Sequence, residues 1–370
     1  MTSRAALLRN AALRVAAAQD GIGLDLTEGP PGALPDLVFP KTAVQPGEAV
    51  LLIGALDLRV VSILCERVGP SGSVHIIESE RERLDLALAR AAEIGPSVGW
   101  PSWRFDPAEL DDLRTDPSYV ASLLREQPVV DLQSHRALEA ALAHQRSVAP
   151  LVADDTVDAI VLNRTVNRLS AERIPRLLAE SFRVLRRGGR LIVSVVLADE
   201  PPPSAMRELS GRLHFDHVPL EGEILAWLGD AGFYGMRIHH RAELPVGVVQ
   251  GVEFREHVVT GLKGKQGVCL DRGQAVIYRG PWREVLDDDD HRFVRGQRAA
   301  VCAKTYELLM RAPYCDDFLQ VPPYMEVPSD EAAVFDCLTP QVRDPQVTKG
   351  KRTPLGSHGA GTTTATAKCC

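Results

Sequence analysis

Thiols are the most reactive side chains in this sequence, and they are unevenly placed. The seven cysteines are Cys65, Cys269, Cys302, Cys315, Cys337, Cys369 and Cys370, and six of them follow residue 260. An odd count in a chain of 370 residues does not describe a disulfide framework. Reduced thiols are the simpler expectation, as in a cytoplasmic protein. No CxxC spacing occurs, so no zinc-finger pattern is present. Cys269, Cys302, Cys337 and the vicinal pair Cys369-Cys370 are still candidate ligands for a soft ion, because thiolates suit soft ions. Burial as small apolar side chains accounts equally well for Cys65, Cys302 and Cys269. It does not account for two adjacent cysteines at the end of a polar segment. The acidic run 287–290 reads as a solvated hairpin tip, since four consecutive Asp side chains do not converge on one cation. His214 and His217, in GRLHFDHVP, are candidates for a general base. Exposed histidines leading from a helix to a loop are the plainer reading.

Such groups need a scaffold, and the hydrophobic pattern describes one. GEAVLLIG gives an apolar strand at 49–53. Helical spacing follows in LRVVSILCERVG and stops at Gly69. SVHIIE is a second short strand closed by Glu78, and 81–92 is a charged helix rich in Ala and Leu. Residues 106–150 read as a helical insertion, with helices at 119–126 and 134–146. DDTVDAIVLN, at 154–163, is a turn and a buried strand. AERIPRLLAESFRVLRRGG is an amphipathic helix that Gly188-Gly189 should stop. An apolar strand at 189–198 comes next, then a helix capped at Gly232 and the strand YGMRIHH. This alternation predicts an α/β fold, a doubly wound and mostly parallel sheet with helices on both faces. Ligands of such sheets bind at the carboxyl ends of the strands, near the switch point. Beyond about residue 250, short strands separated by Gly or Asp turns predict a smaller β-rich domain.

The expected divisions are an N-terminal helix and Pro/Gly-rich linker at 1–44, a sheet domain at 45–245, a C-terminal domain at 246–340 and a disordered tail at 341–370. The formal net charge of -7 argues against a general nucleic-acid binder, which needs basic surface. No run of about twenty apolar residues suggests a membrane span. The N-terminus lacks the apolar core of a signal peptide.

The segments GEAVLLIG, VHIIES, DDTVDAIVLN and FRVLRRGGRLIVS, in that order, resemble a class I S-adenosylmethionine (SAM)-dependent methyltransferase. Farther on, GVEFREHVVTGLKGKQGVCLDRGQAVIYRGPW, GQRAAVCAKTYELLMRAPY, FDC and the terminal Cys-Cys resemble the appended region of the arsenite methyltransferases. Together these cover about residues 40–340 and the last two residues. The resemblance implies a class I SAM-methyltransferase (Rossmann-like) fold with a C-terminal extension, and SAM as the cofactor. It also implies thiolates that hold trivalent arsenic while the arsenic lone pair attacks the methyl group of SAM.

Several residues depart from what that chemistry requires. The family's glycine-rich loop brings the backbone close to SAM, and any Cβ there takes up the space. The matching run here is Leu52-Ile53-Gly54-Ala55-Leu56-Asp57-Leu58, in which only Gly54 remains. Glu78 holds the place of the carboxylate that grips the ribose hydroxyls. Asn163 keeps its place at the end of the fourth strand. Arg164 and Arg212 stand where the family has thiols, and a guanidinium offers only N–H donors. Gly54, Glu78 and Asn163 are thus the expected cofactor-binding residues, and Arg164, Arg212 and His214 the candidate catalytic ones.

Three readings follow from these residues. The first is an arsenite methyltransferase-like protein that no longer methylates arsenite and acts by binding a homologue, a second copy of itself or a small anion. The second is an active SAM-dependent methyltransferase, with Arg164 and Arg212 clamping an anionic substrate. The third is sequestration of a metalloid or metal by the C-terminal cysteines. SAM is the cofactor of the second reading alone, and whether the chain is an enzyme stays open on these residues.

Overall fold

The computed structural model describes residues 44–54, 58–98, 101–202, 217–337 and 342–354. The N-terminal helix and linker, Leu56, Arg212, His214 and residues 355–370 with Cys369 and Cys370 lie outside the described residues. The expected disordered tail is corrected in its first part: residues 342–354 are ordered, because Arg343 is buried against Asp271 and Asp344 caps a short helix, Pro345–Thr348. The chain divides into two units, with the break between Lys263 and Gly264.

The first unit is built on one sheet. Its elements are β1 (Ala49–Ile53), α1 (Leu58–Val68), β2 (Ser73–Ile77), α2 (Arg81–Val98), β3 (Ser102–Asp106), α3 (Pro117–Glu126), α4 (Leu132–Val148), β4 (Val157–Asn163), α5 (Ile174–Val184), β5 (Leu185–Ala198), α6 (Glu223–Asp230), β6 (Tyr234–Arg241), β7 (Gly247–Val249) and β8 (Val252–Leu262). The strand order is β3-β2-β1-β4-β5-β8-β6, and β7 pairs β8. Strands β3 to β5 run parallel, and β8 lies antiparallel between β5 and β6. This is the class I methyltransferase sheet, and its order reverses between β1 and β4.

Side-chain alternation explains why both faces are covered. Leu51 and Ile53 of β1 join a core with Leu177, Leu178, Ile224 and Leu228 of α5 and α6. Val50 and Leu52, one residue out of phase, join the opposite core with Val60, Leu64 and Leu84 of α1 and α2. Strands buried on both faces read as continuous apolar runs, and every residue of β4 is buried. Between β3 and β4 lie the two helices α3 and α4. Asp116 and Asp131 cap these helices by accepting backbone N–H groups, and α3 buries no side chain.

Two boundaries differ from the pattern-based reading. The helix before Gly188-Gly189 stops at Val184, because Leu185 already pairs with Val157 of β4. Gly188 then donates to the Lys263 carbonyl, so the two glycines lie within β5 rather than capping a helix. The division into units also falls later than residue 246. β8 pairs with β5 from Arg190↔Leu262 to Ala198↔Phe254, which places residues 252–262 in the main sheet.

The second unit consists of short antiparallel strands: β9 (Leu270–Asp271), β10 (Ala275–Tyr278), β11 (Glu284–Leu286), β12 (Arg292–Val294), β13 (Arg298–Ala300), β14 (Phe318–Val321) and β15 (Ala333–Val334), with helices α7 (Ala303–Leu309) and α8 (Pro345–Thr348). They form the sheets β13-β10-β14, β11-β12 and β15-β9. Phe293 and Phe318 meet edge to face at 5.1 Å in its interior.

Candidate functional site

At the switch point the register fixes what stands together. Ile53 pairs with Ile77 and with Leu162. Gly54, Glu78 and Asn163 therefore stand at the carboxyl ends of three adjacent strands. Gly54 has φ +83°, a region that L side chains rarely adopt. A Cβ added there would lie 2.8 Å from the Thr165 hydroxyl and 3.4 Å from Nη1 of Arg168. Thr165 donates to the Ile53 carbonyl, which ties the turn after β4 to the end of β1. Asn163 is buried, and its side-chain nitrogen has no acceptor among the described residues.

Arg168 is the residue that sequence reasoning missed. It ends a single 3-10 turn, residues 166–168, that turns the chain back over β1 and β2. Its Nη1 donates to Oε2 of Glu78 at 2.7 Å, and its Nη2 donates to Oε1 at 2.6 Å. The same Nη2 reaches Glu80 at 2.9 Å. Glu78 is 0% exposed, and the backbone N–H of Glu80 also donates to it. Burial disfavours the charge on Arg168, but hydrogen bonding and attraction from Glu78 and Glu80 outweigh that, so its pKa lies above the usual arginine value. A cleft of about 290 Å³ lies beside the pair, lined by Ser79, Glu80, Glu109, Leu110, Arg168, Leu169 and Arg173. Both oxygens of the Glu78 carboxylate are thus engaged by a guanidinium. As placed, these residues do not fit a ribose. The sequence signal was slight: an arginine five residues after the predicted strand end, where polar turn residues are unremarkable.

Arg164 sits at φ +55° and donates through Nη2 to both oxygens of Glu256, each at 3.3 Å. Ser194 donates its hydroxyl to the same carboxylate at 3.0 Å. Both charged partners are buried. Asn167 bonds both polar groups of Val196 and serves the backbone there. His217 stands against Trp227, and burial holds its pKa below the usual histidine value despite Glu223 nearby.

In the second unit the structure gathers three predicted thiols. Cys269, Cys302 and Cys337 are buried, and their Sγ atoms lie within 4.8 Å of one another. The β9–β15 ladder pairs Leu270 with Val334, and Phe335 donates its N–H to the Cys269 carbonyl at 2.8 Å. Cys302 follows β13 and caps α7, accepting the Thr305 N–H at 3.4 Å. Gln274 ties the two stretches by donating to the Val301 and Leu270 carbonyls. Arg343 locks β9 through a bidentate pair with Asp271, at 2.9 and 3.0 Å. Cys315 is exposed and stands apart from this group. In the acidic turn, Asp287, Asp289 and His291 also approach one another. Lys265 pairs with Asp289 there, and His291 with Asp287 at 2.9 Å, so the turn already holds cations of its own.

Comparison with known proteins adds the following. Residues 265–353 match a domain of unknown function (DUF8838). An arsenite methyltransferase of Aquipseudomonas alcaligenes is 26% identical over 302 residues, 75% of this chain and 73% of that protein. A solved arsenic(III) S-adenosylmethionine methyltransferase of Chlamydomonas reinhardtii aligns at 19% identity and TM-score 0.45, covering 84% of this chain and 96% of that one. The YcgJ protein of Bacillus subtilis aligns at 15% identity and TM-score 0.41, over 61% of this chain and 96% of that one. With the sheet order of the class I methyltransferases and a curated arsenite methyltransferase matching along most of its length, the chain is a distant, low-identity relative of the SAM-dependent arsenite methyltransferases.

Proposed function

We propose that this protein is an arsenite methyltransferase-like binding protein that does not transfer a methyl group from SAM. The observation that carries the reading is the bidentate Arg168–Glu78 pair beside Gly54. To be gripped by Glu78, a ribose must displace Arg168. Breaking a buried pair costs about 3–5 kcal/mol. Hydroxyl hydrogen bonds to a charged group return about 1.5–3 kcal/mol each at best. Two such bonds only about offset that cost, so binding is weaker than to a carboxylate that no guanidinium engages by roughly two powers of ten or more, and no glycine-rich loop adds contacts. Arg164 supports the same reading, because Glu256 has taken the guanidinium that would otherwise clamp an anionic substrate.

Isothermal titration of the full chain with SAM tests this. The expected result is no saturable heat up to about 1 mM, the weak end of specific binding. A micromolar dissociation constant would overturn the reading.

A further inference from the structure

We infer that the C-terminal unit carries a three-thiolate site for a trivalent thiophilic ion, with Cys269, Cys302 and Cys337 each supplying one sulfur. The inference does not rest on the state of the cofactor cleft, which belongs to the other unit. The three sulfurs already lie within 4.8 Å of one another, and no disulfide joins them. Sulfur bonds of about 2.3 Å, the length zinc makes, at the roughly 100° angles of a pyramidal lone-pair centre set sulfurs about 3.5 Å apart. Closing on an ion therefore moves each pair by no more than about 1.3 Å.

Donor count and charge select the ion. No histidine or carboxylate joins the sulfurs in the cluster among the described residues. Their apolar neighbours are Phe335 and Ala300. Zinc takes four ligands in structural sites, and with three thiolates it keeps a net negative charge that an apolar setting penalises. A trivalent ion with three thiolates is neutral and needs no fourth donor. For arsenous acid the step is As(OH)3 + 3 RSH → As(SR)3 + 3 H2O. Three As–S bonds replace three As–O bonds, each S–H proton leaves on a departing hydroxide as water, and arsenic stays trivalent. The Thr305 backbone N–H, 3.4 Å from the Cys302 sulfur, is in place to donate to it as it loses its proton.

The test uses the full reduced chain with Cys315→Ser, Cys369→Ser and Cys370→Ser, so that the cluster is the main store of thiols. Sodium arsenite should bind at one ion per chain, and X-ray absorption at the arsenic edge should report three sulfur neighbours and no oxygen. Adding Cys302→Ser should weaken binding at least on the order of 100-fold, more than loss of a supporting hydrogen bond costs at a metal site. Circular dichroism checks that this variant stays folded; if it does not, the absorption spectrum of the parent decides alone. No bound arsenic, or two sulfurs and an oxygen, overturns the inference. So does zinc binding that arsenite cannot displace.

Discussion

Glu78 and Arg168 form a buried ion pair whose energetics are asymmetric. Each charge is tolerated in the interior only because the other is there. Arg168→Met should therefore lower unfolding stability by about 3–5 kcal/mol, since it strands Glu78. Arg168→Met combined with Glu78→Met should recover most of that loss, because replacing both charges with apolar groups is often neutral. Urea denaturation of the two variants checks this; equal losses in both would mean that the pair is not the coupled unit described. Arg164 and Glu256 follow the same logic. Restoring a thiol by Arg164→Cys leaves a buried carboxylate behind, and stability should fall by about 3–5 kcal/mol in the same assay. At this scale Arg164 was legible in the sequence as a departure from the family pattern. Its partner was not, because Glu256 lies 92 residues away and meets it only through strand pairing.

Short elements set the geometry in which these residues act. The turn after β1 holds Gly54 at positive φ beneath Thr165 and Arg168. Gly54→Ala should destabilise by about 1–3 kcal/mol, the range for residues forced into sparsely populated backbone regions, and thermal unfolding would register the drop. In the acidic turn, burial opposes charge on both His291 and Asp287, but their mutual hydrogen bond and attraction prevail. The pKa of His291 is raised above 6.5, and that of Asp287 lowered below 3.8. The sign follows by linkage. The contribution of His291 is full below about pH 6.5 and fades as pH rises through its folded value. That of Asp287 is full above about pH 3.8 and fades as pH falls through its folded value. The stability difference between wild type and His291→Asn should thus be largest near pH 5 and shrink toward pH 9, as measured by denaturation at several pH values. A difference that does not change with pH would show that the turn is held by other contacts. The sequence revealed the turn but not its occupants, because Lys265 is distant in the chain.

The whole molecule joins a Rossmann-like sheet unit to a set of small β-sheets, each with its own interior. Among the described residues no helix is long and apolar enough to cross a membrane. The proposed ligand preferences give opposite whole-protein signatures. A ligand that binds only the native state stabilises it by RT ln(1 + [L]/Kd), about 2.7 kcal/mol at a hundredfold excess over Kd. Arsenite should raise the midpoint of the transition that reports the C-terminal unit, and SAM should leave both transitions where they are. A shift with SAM alone in differential scanning fluorimetry would reverse the assignment of function.

Local pattern determined the α/β class, the strands β1, β2, β4, β5 and β6 and the resemblance carried by GEAVLLIG and FRVLRRGGRLIVS, because burial on two faces writes itself into consecutive apolar residues; it did not give β3 or the place of β8 in the main sheet. It also marked Cys269, Cys302 and Cys337 as candidate ligands without showing that they meet. Only the tertiary structure decided that these sulfurs converge, that Arg168 lies across Glu78 and that Arg164 ends on Glu256. Each of those contacts joins side chains 33 or more residues apart. Such distances are set by strand register and chain reversal, which short-range periodicity does not encode.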